Sequence, residues 1–82
     1  MLRDEKDILR IYGTLLLAGF KLTLRQSEIF ILLASGKKNK EIAALLFIDY
    51  DTVRTHRARI FKRLAVKNKF ELGMLAYKLG LL

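Results

Sequence analysis

Within the segment DYDTVRTHRARIFKRL, residues 49–64, the chain places Arg54, Arg57, Arg59, Lys62 and Arg63. Cationic groups at this density recognise anions, and a guanidinium can also pair bidentately with the edge of a guanine. Thr55 and Ala58 lie among them, and small side chains let a helix sit deep in a DNA major groove. The same segment carries Val53, Ile60 and Leu64, which are core residues by type. On a helical wheel of about 100° per residue, Leu64, Ile60, Phe61 and Tyr50 fall within roughly 80° of Val53. Asp51, Arg54, Thr55, Ala58, Arg59 and Lys62 fall on the opposite side. The segment reads as one helix, half core and half cationic. Alone, it is equally a nucleic-acid reader or a solvated basic surface.

Other chemistries find few residues to carry them. The chain has no cysteine and a single histidine, His56, so neither a disulfide framework nor a thiolate or zinc site is expected. Carboxylates are scattered among capping positions and helix ends, with no nucleophile, histidine and acid constellation and no Gly-rich phosphate loop, so no enzyme and no cofactor is expected. The longest apolar stretches fall well short of the roughly 20 residues of a membrane span, and MLRDEKD does not resemble a secretory signal. A cytoplasmic protein without a membrane partner is the default expectation. A length of 82 residues suits one small domain. The net charge is +8, and the segment 37–69 holds ten Lys or Arg against three acids, seven of those eight charges.

The elements that would position this face read as an all-α domain: proline is absent and strong turn signals are few. A first helix, residues 4 to about 18, spaces Ile8, Ile11, Tyr12, Leu15 and Leu16 along one side, with Asp4, Glu5 and Asp7 near its start. Thr23 stands three before Gln26, a capping-box start to a second helix that Gly36 ends. Asn39 is expected to cap a short third helix, 40 to about 46, and Asp49 a fourth, 50 to about 64. Asn68 with Glu71 reads as another capping box, opening a last helix that Gly80 terminates. A short helix, a tight turn and a longer basic helix have the spacing of a helix-turn-helix, whose second helix enters the groove of double-stranded DNA. Lys37, Lys38 and Lys40 surround the start of the short helix, where free amides and ammonium groups suit a phosphate.

Positions 23–82 resemble the DNA-binding domain of the LuxR/GerE class of bacterial transcription regulators, a four-helix domain. The resemblance is carried by LTLRQSEIFILLASGKKNKEIAALLFIDYDTVRTHRARIFKRLAVKNKFEL and the closing GLL. Within it, NKEIA, TVRTH and the pattern L-x-V-x-N at residues 64–68 are the specific parts. The resemblance implies base reading by Arg54, Thr55 and Ala58, and phosphate contacts by Lys38, Asn39, Lys40, Thr52, His56 and Arg59. Lys62, on the same face of the wheel, joins the phosphate set. It also implies a homodimer through the last helix, with Leu75, Tyr77, Lys78 and Leu79 near the contact, reading an inverted repeat. Three positions depart from the usual pattern: Gln26 for glutamate, Asp49 for serine, and Ala58, which limits readout to a thymine methyl or to tolerance of any base.

Beside these roles stand structural readings. His56 is either a phosphate donor or a partly buried structural histidine. Arg57, about 40° from the core centre, is expected to pack its stem and pair with an acid such as Glu28. Arg63, Lys67 and Lys69 read as solvated charge adding to the field that attracts DNA. Ile29, Leu32, Leu33, Ile42, Leu45, Val53, Ile60, Leu64, Val66 and Leu72 are the expected core. The chain divides into an apolar helical segment, residues 1–20, for packing or dimer extension, and the DNA-binding domain, 21–82. Segment 1–20 is too apolar for a free surface helix, and packs on the domain, on its copy or on another partner. The functional expectation is a sequence-specific regulator of transcription. Neither a receiver nor a small-molecule domain precedes the motif, so the chain acts constitutively or is a fragment. Activation would require a contact with RNA polymerase, for which no segment stands out. The competing class is a helical adaptor whose apolar outer helices bind a protein, the basic face being incidental.

Overall fold

In the computed structural model, which describes residues 5–82 and the side chains from Lys6 onward, five helices follow one another. They are α1 (Glu5–Leu17), α2 (Leu24–Ala34), α3 (Asn39–Leu46), α4 (Tyr50–Leu64) and α5 (Lys69–Lys78). No strand occurs among the described residues, so the architecture is all-α, a helix-turn-helix domain with an extra N-terminal helix. Asp4, expected at the start of the first helix, lies outside the described residues.

Helix α2 is the hub. Thr23 Oγ1 accepts the Gln26 N–H at 3.0 Å and Gln26 Oε1 accepts the Thr23 N–H at 3.2 Å, the reciprocal cap its sequence predicts. Ile29, Phe30, Ile31, Leu32 and Leu33 are all buried. Five consecutive buried residues cannot belong to one stripe of a helix; they are covered because α1, α3, α4 and α5 all pack around α2. Full burial of each such side chain contributes about 1.5–3 kcal/mol. Ile42 from α3, Val53, Ile60 and Leu64 from α4, and Leu72 and Ala76 from α5 complete the core. From α1 come Ile11 and Leu15, so this helix packs on the domain itself, one of the three fates its apolar content allowed.

Each helix ends through a left-handed residue whose following amide bonds back into the last turn. Gly19, Gly36 and Gly80 occupy three of these positions, at φ 94°, 94° and 74°. Phe47 and Ala65, at φ 56° and 55°, occupy the other two. The Ile48 N–H reaches the Ala43 carbonyl at 3.1 Å and the Val66 N–H the Phe61 carbonyl at 3.0 Å. These two non-glycine turns enter and leave α4, and neither carries the glycine that would mark it in the sequence.

Several expectations need correction. Asn39 is the first residue of α3 and not its cap; that position belongs to Lys38, whose N–H donates to Glu41 Oε1 at 2.7 Å. Asp49 caps α4 by position, with no side-chain hydrogen bond. At α5 the Asn68 side chain accepts from the Glu71 N–H, while Glu71 reaches back to the Lys67 N–H instead of that of Asn68. Leu45 is 51% exposed and Tyr50 47% exposed, so neither belongs to the core, whereas Val66 is partly buried against it. Leu45 faces out because α3 is only eight residues long and is covered on one side. Leu22, Phe30, Ile31 and Leu81 are core residues that helical spacing did not single out.

Candidate nucleic-acid interface

The tight turn Phe47, Ile48, Asp49 sets α3 against α4, and Val53, Ile60 and Leu64 anchor α4 by its inner face. With that face fixed, Asp51, Thr52, Arg54, Thr55, Ala58, Arg59, Lys62 and Arg63 are exposed. Among them Arg54, Thr55 and Ala58 line one recess of about 660 Å³, together with Asn39 of α3 and Asp51, Arg57 and Phe61. The structure thus brings the three expected base readers and one expected phosphate contact to a single concavity. Arg54 Nη1 lies 3.6 Å from Asp51 Oδ1, a solvent-exposed pair that holds the guanidinium only loosely. Thr55 Oγ1 donates to the Asp51 carbonyl at 3.0 Å, and the residue stays exposed.

A second recess, of about 370 Å³, adjoins the first: Lys38, Asn39 and Lys40 from the start of α3, Tyr50 and Arg57 from α4, and Lys69 from α5 line it. Three expected phosphate contacts therefore share one site. Thr52, His56, Arg59 and Lys62 line neither recess. Lys62 stands in the last turn of α4, about 15 Å along the axis from Thr52 at 1.5 Å per residue. His56 is partly buried, and its Nδ1 has no hydrogen-bond partner among the described residues. Burial lowers its pKa, and the nearby charges of Arg59 and Arg25 lower it further.

Two residues read from the sequence as structural or merely solvated prove to be placed at this surface. Arg57 does not pair with Glu28, which is bonded to Arg25 at 2.9 Å. Its guanidinium instead lies 4.5 Å from the centre of the Phe61 ring and borders both recesses. Lys69 donates from Nζ to the Lys37 carbonyl at 2.9 Å. Arg63, also read as solvated, donates to the Lys21 carbonyl and so ties α4 to the loop before α2. The wheel position of Arg57, between core and surface, was the available signal; for Lys69 none existed, because its partner is 32 residues away.

On α5, Leu75 and Leu79 pack partly against the core, and Tyr77 and Lys78 are exposed. The outward apolar surface is made instead by Phe70 and Tyr77, each 74% exposed, with Met74 and Leu82. These four line a hollow of about 500 Å³ with Lys69, Gly73 and Lys78. No helix among the described residues is long and apolar enough to cross a membrane, and no cluster of three metal-ligating side chains occurs among them.

Residues 21–76 match the family model described as bacterial regulatory proteins, luxR family (GerE). The chain is 48% identical over 60 residues to the uncharacterized response regulatory protein YgeK of Escherichia coli (strain K12), a match covering 73% of this chain and 41% of that protein. It is 40% identical over 70 residues to the transcriptional regulatory protein LiaR of Bacillus subtilis (strain 168), covering 85% of this chain and 33% of LiaR. A third relative, the oxygen regulatory protein NreC of Staphylococcus aureus (strain JH9), is 44% identical over 61 residues, covering 74% of this chain and 28% of NreC. The chain thus spans between about a quarter and two fifths of the length of these relatives. With the helix-turn-helix, its exposed cationic face and the family match in one segment, the chain belongs to the luxR family of bacterial regulatory proteins.

Proposed function

We propose that this chain binds double-stranded DNA in a sequence-specific manner and regulates transcription, with α4 in the major groove. The observation that carries this reading is the recess where Arg54, Thr55 and Ala58 stand beside Asn39 of α3, on a helix whose other face is locked in the core. Arg54 pairs with a guanine, Ala58 sits against a thymine methyl or passes over any base, and Thr55 contacts a base edge. Lys38, Asn39, Lys40 and Thr52 fix the register on the backbone, with Arg59, Lys62 and His56 on phosphates farther along the helix. Residues 21–82 act as the binding domain, and residues 1–20 extend it.

The outward face of α5 suits a twofold contact between two copies, centred on Tyr77 and Lys78 and extended by Phe70 and Met74. Such a dimer presents two α4 helices to half-sites in inverted orientation. The same apolar surface would serve a protein adaptor, and salt separates that reading from DNA binding. Counterion release makes log affinity fall linearly with log salt, by about 0.9 per phosphate neutralised, whereas an apolar interface is nearly indifferent to salt.

Selection from a randomised duplex pool with the purified chain, near physiological salt, tests the proposal. An enriched inverted repeat is the expected result. Salt-sensitive binding without enrichment would remove sequence reading from this chain, and absence of binding would leave the adaptor.

A further inference from the structure

The recess bordered by Lys38, Lys40, Arg57 and Lys69 gathers four cations, one each from α3, α4 and α5 and one from the cap of α3, around about 370 Å³, with Asn39 and Tyr50 completing its wall. No carboxylate lines it. Asp51 lines the adjoining recess, and at the edge of this one Glu41 accepts the Lys38 N–H at 2.7 Å. That hydrogen bond is the main cause of its lowered pKa, with Lys37, Lys38 and Lys69 adding to it. Four cations and no carboxylate in its lining leave the recess positive, and like charges held together repel unless an anion joins them.

Two of the four are held in place without an acid. Arg57 is stacked on Phe61, and Lys69 is tethered by one hydrogen bond to the Lys37 carbonyl, with two N–H donors left. Both are partly buried, so little side-chain freedom is lost when they engage a ligand. Asn39 and Arg57 border both this recess and the one containing Arg54, so an anion here lies beside any base that Arg54 reads.

We infer that Arg57 and Lys69, with Lys38 and Lys40, form a site for one phosphodiester of the DNA backbone, next to the base read by Arg54. This rests on the DNA-binding reading above. It gives phosphate-holding roles to two residues outside the helix-turn-helix phosphate set inferred from sequence, and it makes the start of α5 part of the DNA surface.

The test compares the wild-type chain with Arg57→Gln, Lys69→Gln and the double variant, on the selected duplex and on a scrambled one, across a salt series. Each single variant is expected to weaken both duplexes by the same factor, about tenfold for a charge-assisted contact. Because four cations share one phosphate, neither should flatten the salt slope by more than about 0.9. The double variant should also stay within that one-phosphate limit, and base preference should not change. Arg57→Lys, which retains the charge, should retain the slope, and Lys69→Gln serves as the readout should Arg57→Gln fail to fold. Variants with wild-type affinity and slope would overturn the site while leaving the DNA reading intact, and a double variant losing two slope units would overturn the shared phosphate. A wild-type chain that bound neither duplex would overturn the DNA reading itself and this site with it.

Discussion

The outer faces of α4 and α5 are built on the same core but end in opposite chemistries. Helix α4 turns Arg54, Thr55, Arg59 and Lys62 outward, and α5 turns Phe70, Met74 and Tyr77 outward. Their inner faces are alike, since Ile60 and Leu72 are both fully buried. The core thus fixes where each outer face points and leaves its chemistry free. An exposed cationic face is stable in water and gains from a polyanion, whereas an exposed aromatic face gains only by leaving water against another surface.

Substitutions can act on the two faces together or one at a time. Ile60→Ala, on the inner face of α4, opens a cavity in the core that carries both helices and should cost about 2–5 kcal/mol of stability. Urea denaturation would show it, and DNA binding and self-association should be lost together. Arg54→Ala should leave the fold unchanged and cost about 1–3 kcal/mol of DNA affinity, with relaxed preference at one base position. Unaltered affinity and base preference in a binding assay would place the reading face elsewhere on α4. Tyr77→Ala should do the reverse: a loss of about 2 kcal/mol in dimer association, seen by analytical ultracentrifugation, with half-site affinity unchanged.

The turn between the two helices offers a smaller effect. Ala65 adopts a left-handed conformation that glycine takes without steric penalty. Ala65→Gly should therefore stabilise the domain by about 1 kcal/mol, raising its thermal midpoint and keeping both faces functional. The smallest effect concerns the flank of α4. His56 has its pKa lowered on folding from 6.5, by burial first and then by Arg59 and Arg25. The folded state thus favours the neutral ring. Its contribution is present above the unfolded pKa and is lost as pH falls through the folded value. His56→Gln should reduce the decline in thermal midpoint between pH 7.5 and 5.5, and an equal decline in both proteins would assign it to other groups.

The helix order, the cap at Thr23 and the bounds of α4 were all legible in the sequence, because each rests on neighbours within one turn of the chain. Arg54, Thr55 and Ala58 were placed on the exposed side of α4 by wheel geometry, which needs only the apolar positions of that helix. The same wheel put Tyr50 and Arg57 near the core, where their long side chains have reached out past its edge. Local pattern also missed Phe30 and Ile31, since their covering comes from several helices at once.

Residues three or four apart were enough to set the helices, the Thr23 cap and the cationic stripe. Tertiary structure decided that α1 lies against α2, that Arg57 and Lys69 border one recess with the start of α3, and that Phe70 and Met74 face water. Those outcomes depend on which surfaces meet, and residues more than thirty positions apart, such as Lys37 and Lys69, become neighbours only when the helices have packed.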